Sequence, residues 1–567
     1  MKKTSDKILS LLLAVTILLA AFGGCGPGAE QSTQSGPSSE SKTESSTESS
    51  QESSGAGGER KLRIAVGRGA EVIDYETNEY IKWLTEQTDI DIEWEQIIST
   101  TLIDKIPVMM MSGSLPDVFL NCDFTSTMQM KYAAEEKLLI PLNDLIEQYG
   151  TETKRLFEEQ PGVQELITLS DGNIYALPTY SDIVHVNYAQ RALINTTFLE
   201  ALNMDMPETT EEFYAYLKAV KEGDPNGNGI ADEIPLIGNI DGWHQDLFPW
   251  LTEPFIFDDG KYGKKVDVDK NGKVFSILDK EEYREALRWI RKMYSEGLIY
   301  EGALTMKSDQ YKVIGENPDA LILGAAIGTG NKIISNLGGE VYNQFACIAP
   351  LEGPTGLRQT PWFRYANVRM GKFSITKDCQ NPDLAFELAD FMLSYDASMR
   401  LRIGVKDVDW VDAAEGETTI DNRPAVWKKL TPYTGEAQNQ HLGNDGLFYE
   451  TRGMFLDDSV YDHSKTLYSP ENDQFLLAND AVKHYQPYGK EVFPPVNIST
   501  EDADEFASLE VQIKQCYEES RAAFVSGTMD LDKDWDSYVQ TLKSYGLDRY
   551  VEILQKAYDE SPVKIGS

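Results

Sequence analysis

Residues 61–97, KLRIAVGRGAEVIDYETNEYIKWLTEQTDIDIEWEQI, decide the fold class. The stretch opens on a mostly apolar run at 61–66 and closes on 90–97, where apolar and polar residues alternate as they do in a β-strand. Between them, residues 78–88 carry apolar side chains at helical spacing. Strand, helix and strand in this order predict the first unit of a parallel α/β sheet.

The same alternation continues along the chain. Apolar runs predict strands at 117–120, 186–189, 234–237, 320–327, 345–350 and 373–376, and helical spacing predicts helices at 102–111, 142–149, 208–222, 280–296, 383–393, 501–524 and 535–557. Ligands of open parallel sheets bind at the loops after the strands' carboxyl ends. This rule nominates the polar residues Arg68, Asn121, Asp123, Tyr180 and Asp182. For each of them the alternative is a loop or helix-cap role.

Composition excludes some classes of function. The 567 residues include 52 Lys and Arg against 92 Asp and Glu, a net charge of -40, whereas nucleic-acid binding needs a basic face. No phosphate-binding GxxxxGKS/T, serine-hydrolase GxSxG or zinc HExxH motif occurs in the sequence. Paired carboxylates for glycoside hydrolysis cannot be recognised from sequence among so many acidic residues, so this class stays open.

The first 60 residues differ in composition from the rest. A charged start, an apolar run at 8–22 and two glycines predict a secretory signal peptide over 1–24. Cys25 then stands where the lipobox of bacterial lipoproteins, which this segment resembles, carries its lipidated Cys. An ordinary signal peptide followed by a chance Cys is the alternative. Residues 26–59 contain no aromatic residue, Val, Ile, Leu or Met, so 25–60 is predicted to be a lipidated Cys followed by a disordered tether.

One segment has the spacing of a calcium loop. Residues 224–233, DPNGNGIADE, place side-chain oxygens at positions one, three and five and Gly at position six, as in the first half of an EF-hand loop. Pro235 occupies position twelve, so later residues must complete the shell. We therefore predict structural Ca²⁺ held by Asp224, Asn226, Asn228, Ile230 through its carbonyl, Asp232 and Glu233. A metal-free Asn/Gly turn is the alternative. The similar stretch 267–272 lacks the following carboxylate and predicts a hairpin turn.

Three tryptophans lie in loops rich in Gly, Pro or Asp. They are Trp243, Trp362 and Trp410. A large flat ring is costly to expose unless another group packs on it, and the face of a sugar is one such group. These residues are therefore candidates for ligand contact, with packing inside the loop as the alternative.

Several segments together resemble a known family. They are the Cys25 box with its Ser-rich tether, SGSLPDVF at 112–119, LIPLNDLIEQYG at 139–150, PETTEEFYAYLKAVKEGDPNGNGIADEIPL at 207–236, EEYREALRWIRKMYSEGLI at 281–299, NPDLAFELADFMLSYD at 381–396 and the stretch 523–559. In these segments the chain resembles the extracellular solute-binding lipoproteins of bacterial ABC importers, family 1, of the large sugar-binding type.

The resemblance implies an α/β fold of the periplasmic-binding-protein kind, with two lobes, a hinge and a cleft between them. Lobe 1 would comprise 61–182 and about 370–405, and lobe 2 would comprise 183–369 and about 406–567. A monomer anchored by lipid outside the cell membrane, as on a Gram-positive surface, would capture an oligosaccharide and deliver it to a permease without acting as an enzyme. The resemblance also implies that the 224–233 loop is a structural calcium site, and Arg364 beside Trp362 is a further candidate for ligand contact.

Two other functions remain open from the sequence. A surface glycoside hydrolase would break down the glycan that it binds. A peptide- or signal-binding relative would hold a short peptide in the same cleft.

Overall fold

The computed structural model describes residues 60–240, 242–307, 310–317, 321–431 and 437–566. The predicted signal peptide, Cys25 and most of the tether lie outside the described residues. No helix within the described ranges has the length and apolar character needed to cross a membrane.

Strands and helices alternate through most of the described chain. The strands are β1 (Lys61–Arg68), β2 (Asp91–Ile98), β3 (Val118–Leu120), β4 (Leu177–Ser181), β5 (Ala192–Asn195), β6 (Ile234–Ile237), β7 (Val266–Val268), β8 (Val274–Ser276), β9 (Leu323–Ile327), β10 (Phe345–Ile348), β11 (Thr360–Trp362), β12 (Val368–Ile375), β13 (Trp410–Asp412), β14 (Trp427–Lys429), β15 (Tyr449–Glu450) and β16 (Gly489–Glu491).

The α-helices are α1 (Glu79–Thr88), α2 (Leu102–Met111), α3 (Ser126–Gln129), α4 (Asn143–Tyr149), α5 (Glu152–Glu159), α6 (Val163–Ile167), α7 (Val184–Asn187), α8 (Thr196–Leu202), α9 (Thr210–Glu222), α10 (Leu247–Thr252), α11 (Glu281–Ser295), α12 (Gln310–Gly315), α13 (Pro382–Met392), α14 (Tyr395–Arg402), α15 (Asp473–Asp480), α16 (Thr500–Ser526), α17 (Trp535–Ser544) and α18 (Leu547–Glu560). Shorter 3₁₀ turns lie at Ser99–Thr101, Glu301–Leu304, Asn331–Ile333, Val341–Gln344, Pro470–Asn472 and Gln486–Tyr488, and π-helical turns at Met130–Glu135, Gly453–Asp457 and Ala481–Tyr485.

The first sheet has the strand order β15-β4-β12-β3-β1-β2. β1 pairs in parallel with β2 and β3, so the β1–α1–β2 unit confirms the prediction made from residues 61–97. β12 runs antiparallel to β3 and β4, which makes the sheet mixed rather than purely parallel. Apolar residues of its strands, such as Ile64, Val118 and Phe373, are buried against helices that include α1 and α13.

The second sheet has the order β10-β5-β9-β6. β6 and β9 are parallel, and β5 runs antiparallel to β9 and β10. Its core extends into the C-terminal helices, since Phe213, Trp250 and Leu287 belong to the same buried cluster as Phe524 and Leu554. The C-terminal 60 or so residues therefore complete the second sheet's core.

The chain passes between the two sheets more than once. It leaves the first sheet after β4, returns to it at β12 and pairs with it again at β15, whose Tyr449 lies opposite Tyr180. The resemblance implied that all of about 406–567 belongs to the second lobe. The β15 pairing and the burial of Leu442, Leu447 and Phe448 in the first core correct this for 442–450. Strand pairing between residues this far apart leaves no local signal.

Two local expectations also differ from the structure. Residues 186–189 were predicted to be a strand, but helix α7 ends at Asn187 and the strand begins at Ala192, where four consecutive residues are buried. The helix predicted at 535–557 is divided into α17 and α18 by Gly546, which has a φ of 89°. A φ in this range suits Gly and interrupts a helix. The 267–272 hairpin is confirmed by the antiparallel pairing of β7 and β8.

Candidate ligand-binding site

At the carboxyl edge of the first sheet, a group of polar side chains forms what we call the polar rim: Asn121, Asp123, Arg369, Lys372 and Asp445. Lys372 Nζ donates to Asn121 Oδ1 at 2.8 Å and forms an ion pair with Asp123. Asn121 Nδ2 in turn donates to the Gly67 carbonyl at 2.6 Å. The end of β3 and the middle of β12 are thereby joined to the end of β1.

Asp445 reaches the polar rim from a distant part of the chain. Its Oδ2 accepts a hydrogen bond from the Gly69 amide at 2.6 Å. Burial raises the pKa of Asp445, while the Gly69 amide and the Lys372 charge oppose this. A carboxylate held in this way can accept hydrogen bonds from hydroxyl groups of a ligand.

A buried ion pair lies beside the polar rim. Arg402 Nε is 3.1 Å from Glu450 Oε2, and Arg402 Nη1 donates to Gly443 O at 2.6 Å. Glu450 is fully buried and also accepts a hydrogen bond from Ser181 Oγ. Because this pair joins β4, β15 and the turn that carries Asp445, it fixes where that carboxylate lies.

At the carboxyl end of β6 in the second sheet, four rings form what we call the aromatic platform: Trp243, His244, Tyr262 and Phe363. The ring centroid of His244 is 4.7 Å from that of Trp243, 5.8 Å from that of Tyr262 and 4.9 Å from that of Phe363. Trp243 is 46% exposed and Tyr262 is 62% exposed. Two large rings held by a buried neighbour but open to solvent offer flat apolar surfaces to a ligand.

The turn that carries Tyr262 is held by buried charges. Lys265 Nζ forms a buried ion pair with Asp258 at 2.5 Å and donates to Gly260 O at 2.6 Å. Gly260 has a φ of 82°, and a Cβ there would approach the Phe363 ring to 3.0 Å. Gly at this position therefore allows the turn to lie against the platform.

His244 is the buried centre of the aromatic platform. Burial, with smaller effects of the Arg191 and Lys261 charges, lowers the pKa of His244 from 6.5 to about 3. The ring is therefore neutral at physiological pH and packs as an aromatic residue. Its Nδ1 lies 3.4 Å from Gln190 Oε1, which orients the ring.

We expect this neutral His244 to make stability depend on pH. The unfolded chain takes up the proton near pH 6.5, whereas the folded chain resists it until about pH 3. Stability from this group is complete above pH 6.5 and falls by about 1.4 kcal/mol per pH unit as the pH drops toward 3. Urea unfolding of wild type and His244→Phe between pH 7 and 4 measures the difference. An equal pH dependence for both proteins would contradict the assignment.

The other loop candidates are Trp362 and Arg364, which flank Phe363 of the aromatic platform in the sequence, and Trp410, which lies on β13. Trp362 is half-buried and packs on the cluster that includes Val184 and Tyr188. Arg364 forms an ion pair with Glu491 at 2.8 Å. Trp410 Nε1 donates to Gly404 O at 3.1 Å, and Lys406 Nζ lies 5.3 Å from the ring centroid. Contact of these three residues with a ligand stays a prediction.

Two of the strand-end candidates have structural partners. Arg68 Nη1 donates to the carbonyls of Val72 and Ile73 at 2.7 and 2.9 Å, so it holds its own loop. The Tyr180 hydroxyl donates to Gln160 Oε1 at 2.7 Å from a buried position. Asp182 is half-buried, and burial raises its pKa. Among the strand-end residues, the structure brings Asn121 and Asp123 together in the polar rim.

The 224–233 loop connects α9 with β6 and turns its polar side chains toward one another. Asp224 Oδ1 accepts from the Asn228 amide at 3.0 Å, and Asp224 Oδ2 accepts from the Gly229 amide at 2.9 Å. Asp232 Oδ1 accepts from the side chains of Asn226 and Asn228 at 3.2 and 3.3 Å.

Glu233 supplies the observation that tests whether this loop fits a cation. Its Oε1 is buried and has no hydrogen-bond partner among the described residues. A buried carboxylate oxygen of this kind, beside a ring of oxygen-bearing side chains, fits a hard cation such as Ca²⁺. No group of three or more His, Cys, Asp or Glu side chains in the described ranges is arranged for a metal. The loop differs from such a group because Asn side chains and a main-chain carbonyl are among its donors.

Two α/β sheets with polar and aromatic loops at their carboxyl edges define the chain as a two-lobed solute-binding protein. Residues 68–399 match the model of the bacterial extracellular solute-binding proteins, and the chain belongs to this family. The family consists of binding proteins rather than enzymes. This confirms the α/β two-lobed fold and the solute-binding class predicted from the sequence.

Individual relatives cover most of the chain. The fructooligosaccharide ABC transporter substrate-binding protein FusA of Streptococcus pneumoniae is 28% identical over 491 residues, 84% of this chain and 86% of its own. Lipoprotein LipO of Bacillus subtilis is 23% identical over 507 residues, 85% of this chain and 89% of its own. A human-milk-oligosaccharide (HMO) binding protein of Bifidobacterium longum infantis shares the fold with a TM-score of 0.76 at 23% identity, covering 89% of this chain and 100% of that structure.

Proposed function

We propose that this protein captures an oligosaccharide between its two sheets and delivers it to the permease of an ABC importer. The observation that carries the proposal is that one sheet has an exposed aromatic platform at its carboxyl edge and the other sheet has a hydrogen-bonding rim at its own. Trp243 and Tyr262 offer flat faces for sugar rings, and Asp123 and Asp445 offer acceptors for hydroxyl groups. Relatedness to FusA, a fructooligosaccharide-binding protein, supports this reading.

Capture requires no covalent chemistry. A sugar that contacts the aromatic platform and the polar rim at once favours a conformation in which the two approach, so binding shifts an open and closed equilibrium toward the closed form. The permease would then distinguish the closed form from the open one. Affinity on the order of 10⁻⁶ M suffices for such a carrier.

We also propose how the protein is held outside the cell. Cys25 would carry the lipid, and residues 26–59 would be the tether that keeps a monomeric binding unit near the permease at a Gram-positive surface. Similarity to Lipoprotein LipO supports an anchor of this kind.

Ca²⁺ in the 224–233 loop would be structural. Asp224, Asn226, Asn228, the Ile230 carbonyl, Asp232 and Glu233 would hold it, and the ion would neutralise the carboxylates that this loop gathers. The loop ends directly before β6. An ordered loop would therefore help to hold β6, the strand that leads to the aromatic platform.

We expect a chelator to lower the melting temperature of the wild-type protein, because an ion that binds only the folded state stabilises it by mass action. Asp224→Ala should remove this response. Asp269→Ala is the matched control, since Asp269 lies in the similar 267–272 turn and should leave the response intact. Equal chelator responses in wild type and Asp224→Ala, measured by differential scanning calorimetry, would contradict the site.

A thermal-shift screen of the full chain with neutral oligosaccharides, acidic oligosaccharides and short peptides tests the function. A saturable shift with a glycan that is recovered intact supports the proposal. Breakdown of the glycan would favour a hydrolase, and shifts with peptides alone would favour a peptide-binding relative.

A further inference from the structure

Arg369 occupies an unusual position in the polar rim. It lies near the start of β12, opposite Thr179 of β4, at the edge where β1 and β3 end. Its side chain is half-buried, yet its guanidinium forms no hydrogen bond or ion pair with any residue that the structure describes. Burial and the neighbouring Arg402 charge lower the pKa of Arg369.

Three carboxylates affect the pKa of Arg369, and each of them binds another group of the protein, although Glu450 Oε1 is buried without a partner among the described residues. The three carboxylates are Glu450, Asp123 and Asp445. Glu450 pairs with Arg402, Asp123 pairs with Lys372, and Asp445 accepts from the Gly69 amide. The guanidinium is thus partly removed from water without a bound anion of its own, which is unfavourable for a charged group.

Lys429 is a second cation without an anionic partner among the described residues, and the Arg402–Glu450 pair affects its pKa. It lies on the exposed end of β14, opposite Trp410, and its Nζ contacts no hydrogen-bonding partner within the described ranges. The carboxylates that affect the pKa of Lys429 are Glu450 and Asp409. Asp409 already accepts a hydrogen bond from the Val405 amide at 2.8 Å.

The charge of Lys332, which follows β9 at the carboxyl edge of the second sheet, also affects the pKa of Lys429. Lys332 itself is neutralised by Asp473 at 2.6 Å. Arg369 and Lys429 therefore have Arg402 and Glu450 as common electrostatic neighbours, and Lys429 has Lys332 of the second sheet as a further one.

We propose that Arg369 and Lys429 recognise an acidic group of the ligand, so that the captured oligosaccharide carries a carboxylate or a sulfate ester. Neither cation has an anionic partner among the described residues, and an anionic group of the ligand would supply one. It would accept charge-assisted hydrogen bonds, which the Arg guanidinium can donate in pairs. The strongly negative chain, with a net charge of -40, repels such ligands at long range, so recognition depends on these two local cations. This inference rests on the proposed oligosaccharide function.

Tetragalacturonate and its methyl ester test the inference, because the two differ in charge and share a backbone. A sulfated carrageenan tetrasaccharide and its desulfated form test the sulfate source in the same way. Titration calorimetry with the full chain should show an acidic form binding about tenfold or more tighter than its neutral counterpart. Arg369→Gln and Lys429→Met should each reduce this ratio of the two affinities about tenfold.

Arg288→Gln is the matched control, since Arg288 pairs with Asp532 on the outer face of α11 and should leave the ratio unchanged. Circular dichroism of each variant establishes that it is folded. Equal affinity for charged and neutral forms, or an unchanged ratio in Arg369→Gln, would overturn the acidic ligand while keeping an oligosaccharide carrier. Binding of no glycan at all would overturn both this inference and the proposed function.

Discussion

Replacing Asp246 by Ala should lower the free energy of unfolding by about 3–5 kcal/mol, because it leaves a buried arginine without its counter-charge. Asp246 Oδ2 lies 2.8 Å from Arg521 Nη2, and the side chains are 1% and 7% exposed. Asp246 Oδ1 also accepts from the Phe248 amide at 3.0 Å and caps α10. The pair joins α16 to the segment that follows Trp243, so its loss weakens the base of the aromatic platform.

Urea unfolding followed by circular dichroism measures this effect. The double variant Asp246→Ala/Arg521→Met should recover part of the lost stability, because no charge is then left buried and unpaired. Asp412→Ala is the control, as Asp412 pairs with Lys406 at the surface and its removal should cost under about 1 kcal/mol. A loss from Asp246→Ala no larger than the loss from Asp412→Ala would contradict the role assigned to the pair.

Removing both exposed rings of the aromatic platform should reduce oligosaccharide affinity about a hundredfold or more. The double variant Trp243→Ala/Tyr262→Ala removes two flat contact surfaces. Aromatic residues that become buried in an interface commonly contribute about 2 kcal/mol or more each to the binding free energy. Stability should change little, since both rings are largely exposed before the ligand binds. Titration calorimetry with the best glycan from the screen measures the loss.

Tyr545→Ala controls for loss of a surface ring, because Tyr545 is 42% exposed at the end of α17, a helix that contributes nothing to the platform. Trp243→Phe, which keeps an aromatic face, should retain more affinity than Trp243→Ala. Unchanged affinity in the double variant would place the sugar elsewhere on the protein.

The part of the fold that depends on neighbouring residues could be predicted from the sequence. The β1–α1–β2 unit follows from a change between strand and helix periodicity within 37 residues, 61–97. The position of β15 could not be predicted, because its two residues become a strand only by pairing with β4 about 270 residues earlier. The break between α17 and α18 occurs at Gly546. It was not predicted because apolar residues continue at helical spacing on both sides of this glycine.

Some residues of the candidate site could likewise be predicted from nearby sequence, whereas others could not. Asn121 and Asp123 could be proposed because they directly follow an apolar strand, and the calcium loop because all its donors lie within ten residues, 224–233. Tyr262, Arg369 and Asp445 were missed. The Gly-rich turn around Tyr262 was an available signal, but Asp445 joins the polar rim only through the Gly69 amide of a remote segment. Side-chain direction explains Arg68 and Tyr180, whose positions suited a ligand but whose polar atoms bind the protein itself.

A crystal structure of the protein with a bound oligosaccharide would show directly whether one ligand contacts both sheets. We expect one sugar ring against Trp243 or Tyr262 and hydroxyl groups within hydrogen-bond distance of Asp123 or Asp445, so that a single ligand contacts both sheets. A sugar that occupied a different hollow, such as the one between Lys273 and Asp559 at α18, would contradict it. So would a sugar bound by one sheet alone.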